Sequence, residues 1–159
     1  MQLSSDKEFV LRTMQQAGLT QAQALQAKAP EMTGMELYAA EDYIPGFQAA
    51  KAAKNMLERT AGFVCRSTAG RVVRLIQTYD STIYAQEPEE LPAQWGFAWS
   101  TDPAKALPFI AMSTSPYDTG ECCTEGGHVY RSKIDNNVWA PSAYGQGWED
   151  LGKIPGEAE

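Results

Sequence analysis

The sequence lacks any uninterrupted apolar run close to the roughly 20 residues that a membrane-spanning helix needs. It is also short of basic residues, with 13 lysines and arginines against 20 aspartates and glutamates and a formal net charge of −7. This negative excess repels the phosphates of nucleic acid and acidic membrane surfaces. We therefore expect no nucleic-acid partner and no membrane insertion. The first eight residues lack the basic and apolar regions of a secretory signal, so no signal peptide is predicted.

Cysteine and histidine are scarce. Cys65, Cys122 and Cys123 have no metal-ligand spacing, and adjacent cysteines bond to each other only under strain. We expect all three to be reduced and partly buried, and we expect no metal and no cofactor. The one histidine, His128, has no nucleophile at a recognisable spacing. Acidic pairs such as Glu89-Glu90 are typical of a solvated surface rather than of a catalytic cleft. The sequence thus predicts a protein that is not an enzyme.

Residues 1–59 are predicted to form a helical segment. A capping box at residues 5–8 predicts the start of a first helix, and Gly18 is predicted to end it. A second helix, rich in alanine and glutamine, is predicted to begin at Thr20 and to end at Pro30. Further helical stretches are predicted at residues 33–36 and 47–59.

A motif that occurs twice is the most informative feature of the chain. In both copies a Gly-x-Val-x-Arg strand leads to an aromatic residue, then to a proline and a closing tryptophan. The first copy comprises Gly70–Arg74, Tyr84, Pro88 and Trp95, and the second comprises Gly127–Arg131, Trp139, Pro141 and Trp148. Self-similarity at one spacing predicts duplicated structural units.

The repeat predicts an α+β protein in which the N-terminal helical segment is followed by two small antiparallel β modules. The first β repeat is predicted over residues 60–99 and the second over residues 116–152, with a connector at 100–115. Neither repeat is longer than the ~40 residues below which a domain usually needs additional support to fold. We therefore expect each one to pack on its twin, on the helices or on another subunit.

The repeated pattern resembles the chitin-binding type 3 modules, also called carbohydrate-binding module families 5 and 12. The resemblance covers roughly half of the chain. It implies a very small twisted β module around an aromatic core, with a non-catalytic role in binding a polysaccharide or cell-wall glycan. Similar modules occur in bacteriophage tail and baseplate proteins. The resemblance therefore also implies a phage or prophage tail component, with tail proteins as partners, located in the virion or, during assembly, in the bacterial cytoplasm.

In that family the aromatic residue just before the proline is exposed and stacks on a sugar ring. This position corresponds to Trp139 in the second copy and most nearly to Tyr84 in the first. The closing Trp95 and Trp148 correspond to the core tryptophan of the family and are expected to be structural. The full set of candidate carbohydrate-binding residues is Trp139, Tyr84, Tyr144, Tyr117, Asn136 and Asn137.

Two alternatives remain open from the sequence. The protein can be a purely structural tail or baseplate assembly protein whose β modules mediate subunit contacts. These contacts can include those of a homo-oligomer. It can also be a fragment of a polysaccharide-degrading enzyme, which the missing catalytic group disfavours. The run Trp95-Gly-Phe-Ala-Trp99 alternates aromatic and small residues, so we expect its aromatic face to lie in a core or an interface.

Overall fold

The computed structural model describes residues 5–155 and has an α+β fold, as predicted. Its helices are α1 (Ser5–Lys28), α2 (Gly34–Ala39) and α3 (Phe47–Ala53). Its strands are β1 (Val64–Arg66), β2 (Val72–Leu75), β3 (Trp95–Phe97), β4 (Leu107–Pro108), β5 (Cys122–Glu125), β6 (His128–Ser132) and β7 (Trp148–Lys153). None of the helices within residues 5–155 is both long and apolar enough to cross a membrane.

Helix α1 is continuous, so the predicted break at Gly18 is wrong. A glycine inside a helix costs only about 1 kcal/mol relative to alanine, and the surrounding alanine and glutamine residues favour helix. The helix ends at Lys28, just before Ala29 and Pro30, because a residue that precedes proline disfavours the α conformation. The capping box predicted at residues 5–8 includes the side chain of Ser5, which lies outside the described side chains.

Helix α2 fastens the helical segment to the first sheet. Its capping box is present: the Thr33 hydroxyl accepts from the Glu36 amide at 3.2 Å, and the Glu36 carboxylate accepts from the Thr33 amide at 3.1 Å. Further along, the buried Tyr38 hydroxyl donates to the Ala98 carbonyl at 2.8 Å and accepts from the Val72 amide at 3.0 Å. The helix is therefore joined to both β2 and the end of β3.

Each copy of the motif forms a three-stranded antiparallel sheet with the same order, β1-β2-β3 in the first copy and β5-β6-β7 in the second. Trp95 pairs with Leu75 in the first sheet, and Trp148 pairs with Ser132 in the second. Both tryptophans are buried. The closing tryptophans thus occupy the same register position, which accounts for the repeat in the sequence.

The glycine that precedes each sheet is also equivalent. Gly62 and Gly120 both have positive φ angles, +99° and +93°, which favour glycine. The Gly62 amide donates to the Leu75 carbonyl at 2.8 Å, and the Gly120 amide donates to the Ser132 carbonyl at 2.9 Å. The second sheet has one additional strand, β4, which runs parallel to β5 and comes from the connector. Two residues are too few to give a periodic pattern, so the sequence did not predict β4.

The two modules share one aromatic core instead of having separate ones. The cluster contains residues of both sheets and of α3, among them Phe47, Val73, Trp95, Phe97, Trp99, Tyr117, Cys123 and Trp148. The aromatic face of the 95–99 run therefore lies in the core. A second cluster joins α1 and α2 to the first sheet through residues such as Leu25, Leu37, Val64 and Val72.

All three cysteines are unpaired, and they are buried more completely than expected. Burial raises the pKa of Cys123 to about 12, so its thiol stays protonated near neutral pH. The expectation of a solvated surface is wrong for Glu89, whose carboxylate accepts from Arg71 at 2.9 Å in a largely buried pair. Arg71 also donates to the Pro108 carbonyl at 2.7 Å, so this pair links the first module to β4.

Candidate functional site

The loop between β6 and β7 presents two aromatic side chains to solvent. Trp139 is 49% exposed and Tyr144 is 39% exposed, and their ring centroids are 5.6 Å apart at an interplanar angle of 62°. We call these two residues the aromatic pair. Both were predicted as candidates, and the structure brings them together.

The backbone of this loop is held from both sides. The Asn137 side-chain carbonyl accepts from the Trp139 amide at 3.2 Å, while its NH2 group donates to Ser132 Oγ and to the Gly147 carbonyl, both at 3.1 Å. The Trp148 indole N–H donates to the Trp139 carbonyl at 2.8 Å. The exposure of Trp139 is therefore imposed by a fixed backbone rather than by a loose loop.

These bonds correct the prediction for Asn137. Its side chain was expected to contact a ligand, but it is fully buried and its polar atoms are bonded within the loop. Buried polar groups must find partners within the protein. The Asn137 side chain finds them in Ser132, Trp139 and Gly147, and so links three segments of the loop. Asn137 is a positioning residue for Trp139 and not a ligand contact.

A neighbouring loop anchors the start of the aromatic loop. The Asn136 amide donates to Asp118 Oδ1, and the Thr119 amide donates to Asp135 Oδ1, both at 3.0 Å. Asn136 is exposed and has a φ of 56°, a left-handed conformation that asparagine adopts more readily than most residues. It stays a candidate, because its side chain is exposed.

The prediction that Tyr117 contacts a ligand is wrong. Tyr117 is 1% exposed, and its ring stacks on Trp99 at a centroid distance of 4.3 Å and on Phe109 at 5.5 Å. Its backbone pairs with that of Asn137, and this pairing fixes the ring toward the core. Its sequence position before Asp118 resembles an exposed turn, and only the tertiary packing shows that it faces inward.

In the first module Tyr84 is 51% exposed, next to Ile83 at 69%. Among the described residues no second ring pairs with Tyr84. Its amide donates to the Asp80 carbonyl at 3.0 Å. The first module therefore presents one exposed aromatic side chain where the second presents two.

Acidic side chains surround the base of the aromatic loop. Burial is the main cause that raises the pKa of Glu121 to about 7; the nearby carboxylates of Asp118 and Asp135 add to the shift, and a hydrogen bond from the Asp118 amide partly opposes it. Residues 116–152 contain six acidic and two basic residues, a formal charge of −4. Residues 60–99 contain four acidic and three basic residues, a formal charge of −1. Within residues 5–155 no group of three or more histidine, cysteine, aspartate or glutamate side chains is placed to hold a metal ion.

The one histidine forms a surface pair with an aspartate. His128 Nδ1 lies 2.9 Å from Asp150 Oδ1, and this contact lowers the pKa of Asp150. The pair has the form of a base and its orienting group, but no serine, threonine or cysteine is placed against the ring in the hydrogen bonds of the described residues.

Sequence reasoning missed the positioning roles of Asn137 and of Gly147. A Cβ atom built on Gly147 would lie 2.9 Å from Tyr144 Cδ2, so the glycine lets the tyrosine ring pack against the backbone. In the sequence, the Gly145-Gln146-Gly147 run before Trp148 is the feature that could have indicated this close approach of Tyr144 to the backbone. Comparison with protein-family models, curated proteins and solved structures gives no match for this chain.

Proposed function

We propose that this protein binds carbohydrate without catalysis, through the aromatic pair of its second β module. The observation that supports this most directly is the exposure of Trp139 on a backbone that Asn137 and Trp148 hold in place. A flat indole ring covers the apolar face of a pyranose, and stacking of this kind requires a ring that is both accessible and fixed.

The geometry and charge of the surface indicate which glycan fits. The two rings are inclined by 62° with centroids 5.6 Å apart, so they form a corner that holds one sugar ring rather than a flat strip. The negative charge of the module disfavours uronic acids and other anionic sugars. We therefore propose neutral or amino sugars, such as the N-acetylated residues of chitin and peptidoglycan, as the ligand class.

Retention of the purified chain on insoluble chitin and on peptidoglycan tests the proposal. We expect retention of the unmodified chain and a reduction of about tenfold in affinity, or ~1.4 kcal/mol, for Trp139→Ala. Tyr84→Ala reports whether the first module contributes, and Phe9→Ala serves as a control because Phe9 is an exposed aromatic residue on α1. Absence of retention of the unmodified chain on either material would overturn the proposal.

A role in the phage virion, in contact with tail proteins, is part of the proposal and is supported by the resemblance of the repeats to modules of tail proteins. One structural observation favours the second candidate function, that of an assembly protein. Helix α1 carries large apolar side chains that the other described residues do not cover. Uncovered apolar surface of this kind marks interaction sites.

A further inference from the structure

The face of the second sheet that carries the shared core continues beyond it toward the β5–β6 hairpin. Cys123 is buried in the core, and its cross-strand neighbour Tyr130 packs against that core. Paired residues of neighbouring strands project to the same side of a sheet, and side chains alternate along each strand. Glu125 and His128, the next pair on this side, therefore project from the same face as Tyr130 but lie nearer the hairpin turn.

Asp150 of β7 completes a small surface, which we call the hairpin surface: Glu125, His128, Tyr130 and Asp150. Asp150 pairs with Tyr130 across the strands, and its Oδ1 lies 2.9 Å from His128 Nδ1. The ring centroids of His128 and Tyr130 are 6.2 Å apart, and the rings are inclined by 27°. The His128 side chain is 34% exposed, and Tyr130 and Glu125 are half-buried. The sheet and the contact with Asp150 thus hold two accessible rings in place.

The aromatic pair adjoins the hairpin surface. Ser142 lies in the turn between Trp139 and Tyr144, and its amide donates to Glu125 Oε1 at 2.8 Å. One carboxylate therefore joins the turn that carries the aromatic pair to the hairpin surface. None of the hydrogen bonds among the described residues uses Glu125 Oε2, so this oxygen can accept from a ligand that lies across the junction.

The groups of the hairpin surface suit an uncharged sugar. Its rings provide apolar contact for the C–H groups of a pyranose, and its carboxylates accept from hydroxyl or amide N–H groups. Burial, with the nearby carboxylates of Asp150 and Glu125, raises the pKa of Tyr130, so its hydroxyl stays protonated and can donate. Lys153 of β7 pairs with His128, so charges of both signs meet here and an ionic ligand is not selected.

We infer that the hairpin surface is a second sugar subsite, and that it binds a neutral N-acetylated oligosaccharide together with the aromatic pair. This inference rests on the proposed function, because the aromatic pair is taken to hold the first sugar unit. The corner between Trp139 and Tyr144 accommodates one ring, so a longer glycan continues beyond it. The hairpin surface offers further rings directly beside that corner, and the N-acetyl group offers an amide N–H to Glu125.

The length of the ligand tests the inference. NMR titration of the full chain with N-acetylglucosamine and with the linear trisaccharide of the same unit gives both affinities. We expect the trisaccharide to bind about tenfold more tightly, and the ring signals of His128 to shift with the trisaccharide alone. Equal affinities for the two sugars would overturn the second subsite and leave the first one standing. Absence of binding of both sugars would overturn the proposed function and this inference with it.

Three variants separate the two subsites. His128→Ala changes an exposed side chain, and it is expected to lower the trisaccharide affinity about fivefold while the monosaccharide affinity stays unchanged. Trp139→Ala is expected to lower both affinities. Tyr43→Ala is the control, because Tyr43 is a 44% exposed ring of the helical segment, and it is expected to change neither. Equal losses of both affinities in His128→Ala would make His128 a support for the aromatic loop and would refute the subsite.

Glu125→Gln tests the polar contact at the junction. Glutamine keeps an acceptor for the Ser142 amide, so the aromatic turn stays anchored, but it places an NH2 group where Oε2 stood. We expect the trisaccharide affinity to fall about threefold with the monosaccharide affinity unchanged, since one acceptor for the ligand is lost. Unchanged affinity for the trisaccharide, or equal losses for both sugars, would refute the contact between Glu125 and the second sugar unit.

Discussion

The two β modules have the same backbone fold but differ in their surroundings. The equivalent positions Ile76 and Lys133 both donate from their amides, to the carbonyls of Gln94 and Gly147 at 2.7 and 2.8 Å. The side chains of the first module are largely occupied by the helices and the connector. Arg74, for example, donates to the Ala29 and Met32 carbonyls, just beyond the end of α1, at 2.8 and 2.6 Å. The first module is thus the inner scaffold of the molecule.

The second module is less enclosed. Its equivalent of Arg71 is His128, which pairs with Asp150 on the surface instead of bridging to another element. Its closing loop carries Trp139 and Tyr144 into solvent. The two frameworks are therefore equivalent, but only the second carries two exposed aromatic side chains in its closing loop.

The largest effect is expected where the copies are most alike. Trp95 and Trp148 are buried at the same register position, so truncation of either to alanine opens a cavity in the shared core. Each change is expected to lower the free energy of unfolding by about 3–5 kcal/mol. Urea denaturation measures it, and Trp139→Ala provides the exposed comparison, with an expected change within ~0.5 kcal/mol. Independent unfolding of one module after either core change would show that the core is not shared.

The second prediction concerns the charged pair that distinguishes the modules. Glu89→Gln leaves the buried Arg71 guanidinium without its counter-charge, and this is expected to cost about 3 kcal/mol. The equivalent change in the second module, Asp150→Asn, affects an exposed pair and is expected to leave the unfolding midpoint within the scatter of the measurement. Thermal and urea unfolding of the two variants side by side make the comparison. Equal losses would contradict the inner and outer roles of the modules.

The sequence predicted the framework well because the framework depends on local patterns. The repeated Gly-x-Val-x-Arg strand and the closing tryptophans, Trp95 and Trp148, are visible in the residues themselves. The helix capping box at Thr33 is visible in the same way. Features of this kind repeat when the sequence repeats.

The sequence was a poorer guide to which side chains face solvent. Tyr117 and Asn137 are turn-like residues beside Asp118 and Asn136, yet the pairing of their backbones turns both inward. The solvated appearance of Glu89 is overturned by Arg71, a partner 18 positions away. In each case the deciding contact is long-range, and a single sequence carries no pattern that reports it.

The third prediction uses the position of Glu121, whose equivalent in the first module is the apolar Phe63. Their carbonyls accept from Ser132 and Leu75, both at 2.8 Å. The folded-state pKa of Glu121, about 7, lies above its ordinary value of 4.5. Between these values the unfolded chain binds fewer protons than the folded chain, so stability falls as pH rises from about 4.5 to 7 and levels off above it.

Thermal unfolding as a function of pH measures this effect. The melting temperature of the unmodified chain is expected to fall across that window relative to Glu121→Gln, which keeps the acceptor for the Asp118 amide but does not ionise. The difference between the two chains is the informative quantity, because other groups titrate equally in both. Parallel curves from pH 4 to 8 would mean that the Glu121 carboxylate is well solvated.

The smallest effect on stability, and the most specific one for the site, is expected at Gly147. A Cβ atom there would lie 2.9 Å from Tyr144 Cδ2 and 3.1 Å from Asn137 Nδ2, so Gly147→Ala moves the tyrosine ring away from Trp139. The matched control is Gly145→Ala two residues earlier, where a Cβ atom meets nothing within 4 Å. The first module has Gln94 at the equivalent position and no tyrosine to displace.

We expect Gly147→Ala to reduce the affinity for a soluble N-acetylated oligosaccharide by several-fold while lowering stability by less than ~1 kcal/mol. Gly145→Ala is expected to change neither quantity. Titration calorimetry gives the affinities, and the ring-current shifts of the Tyr144 protons report the geometry without any ligand. A displaced ring with unchanged affinity would assign sugar binding to Trp139 alone, because the corner formed by the two rings would then be unnecessary for it.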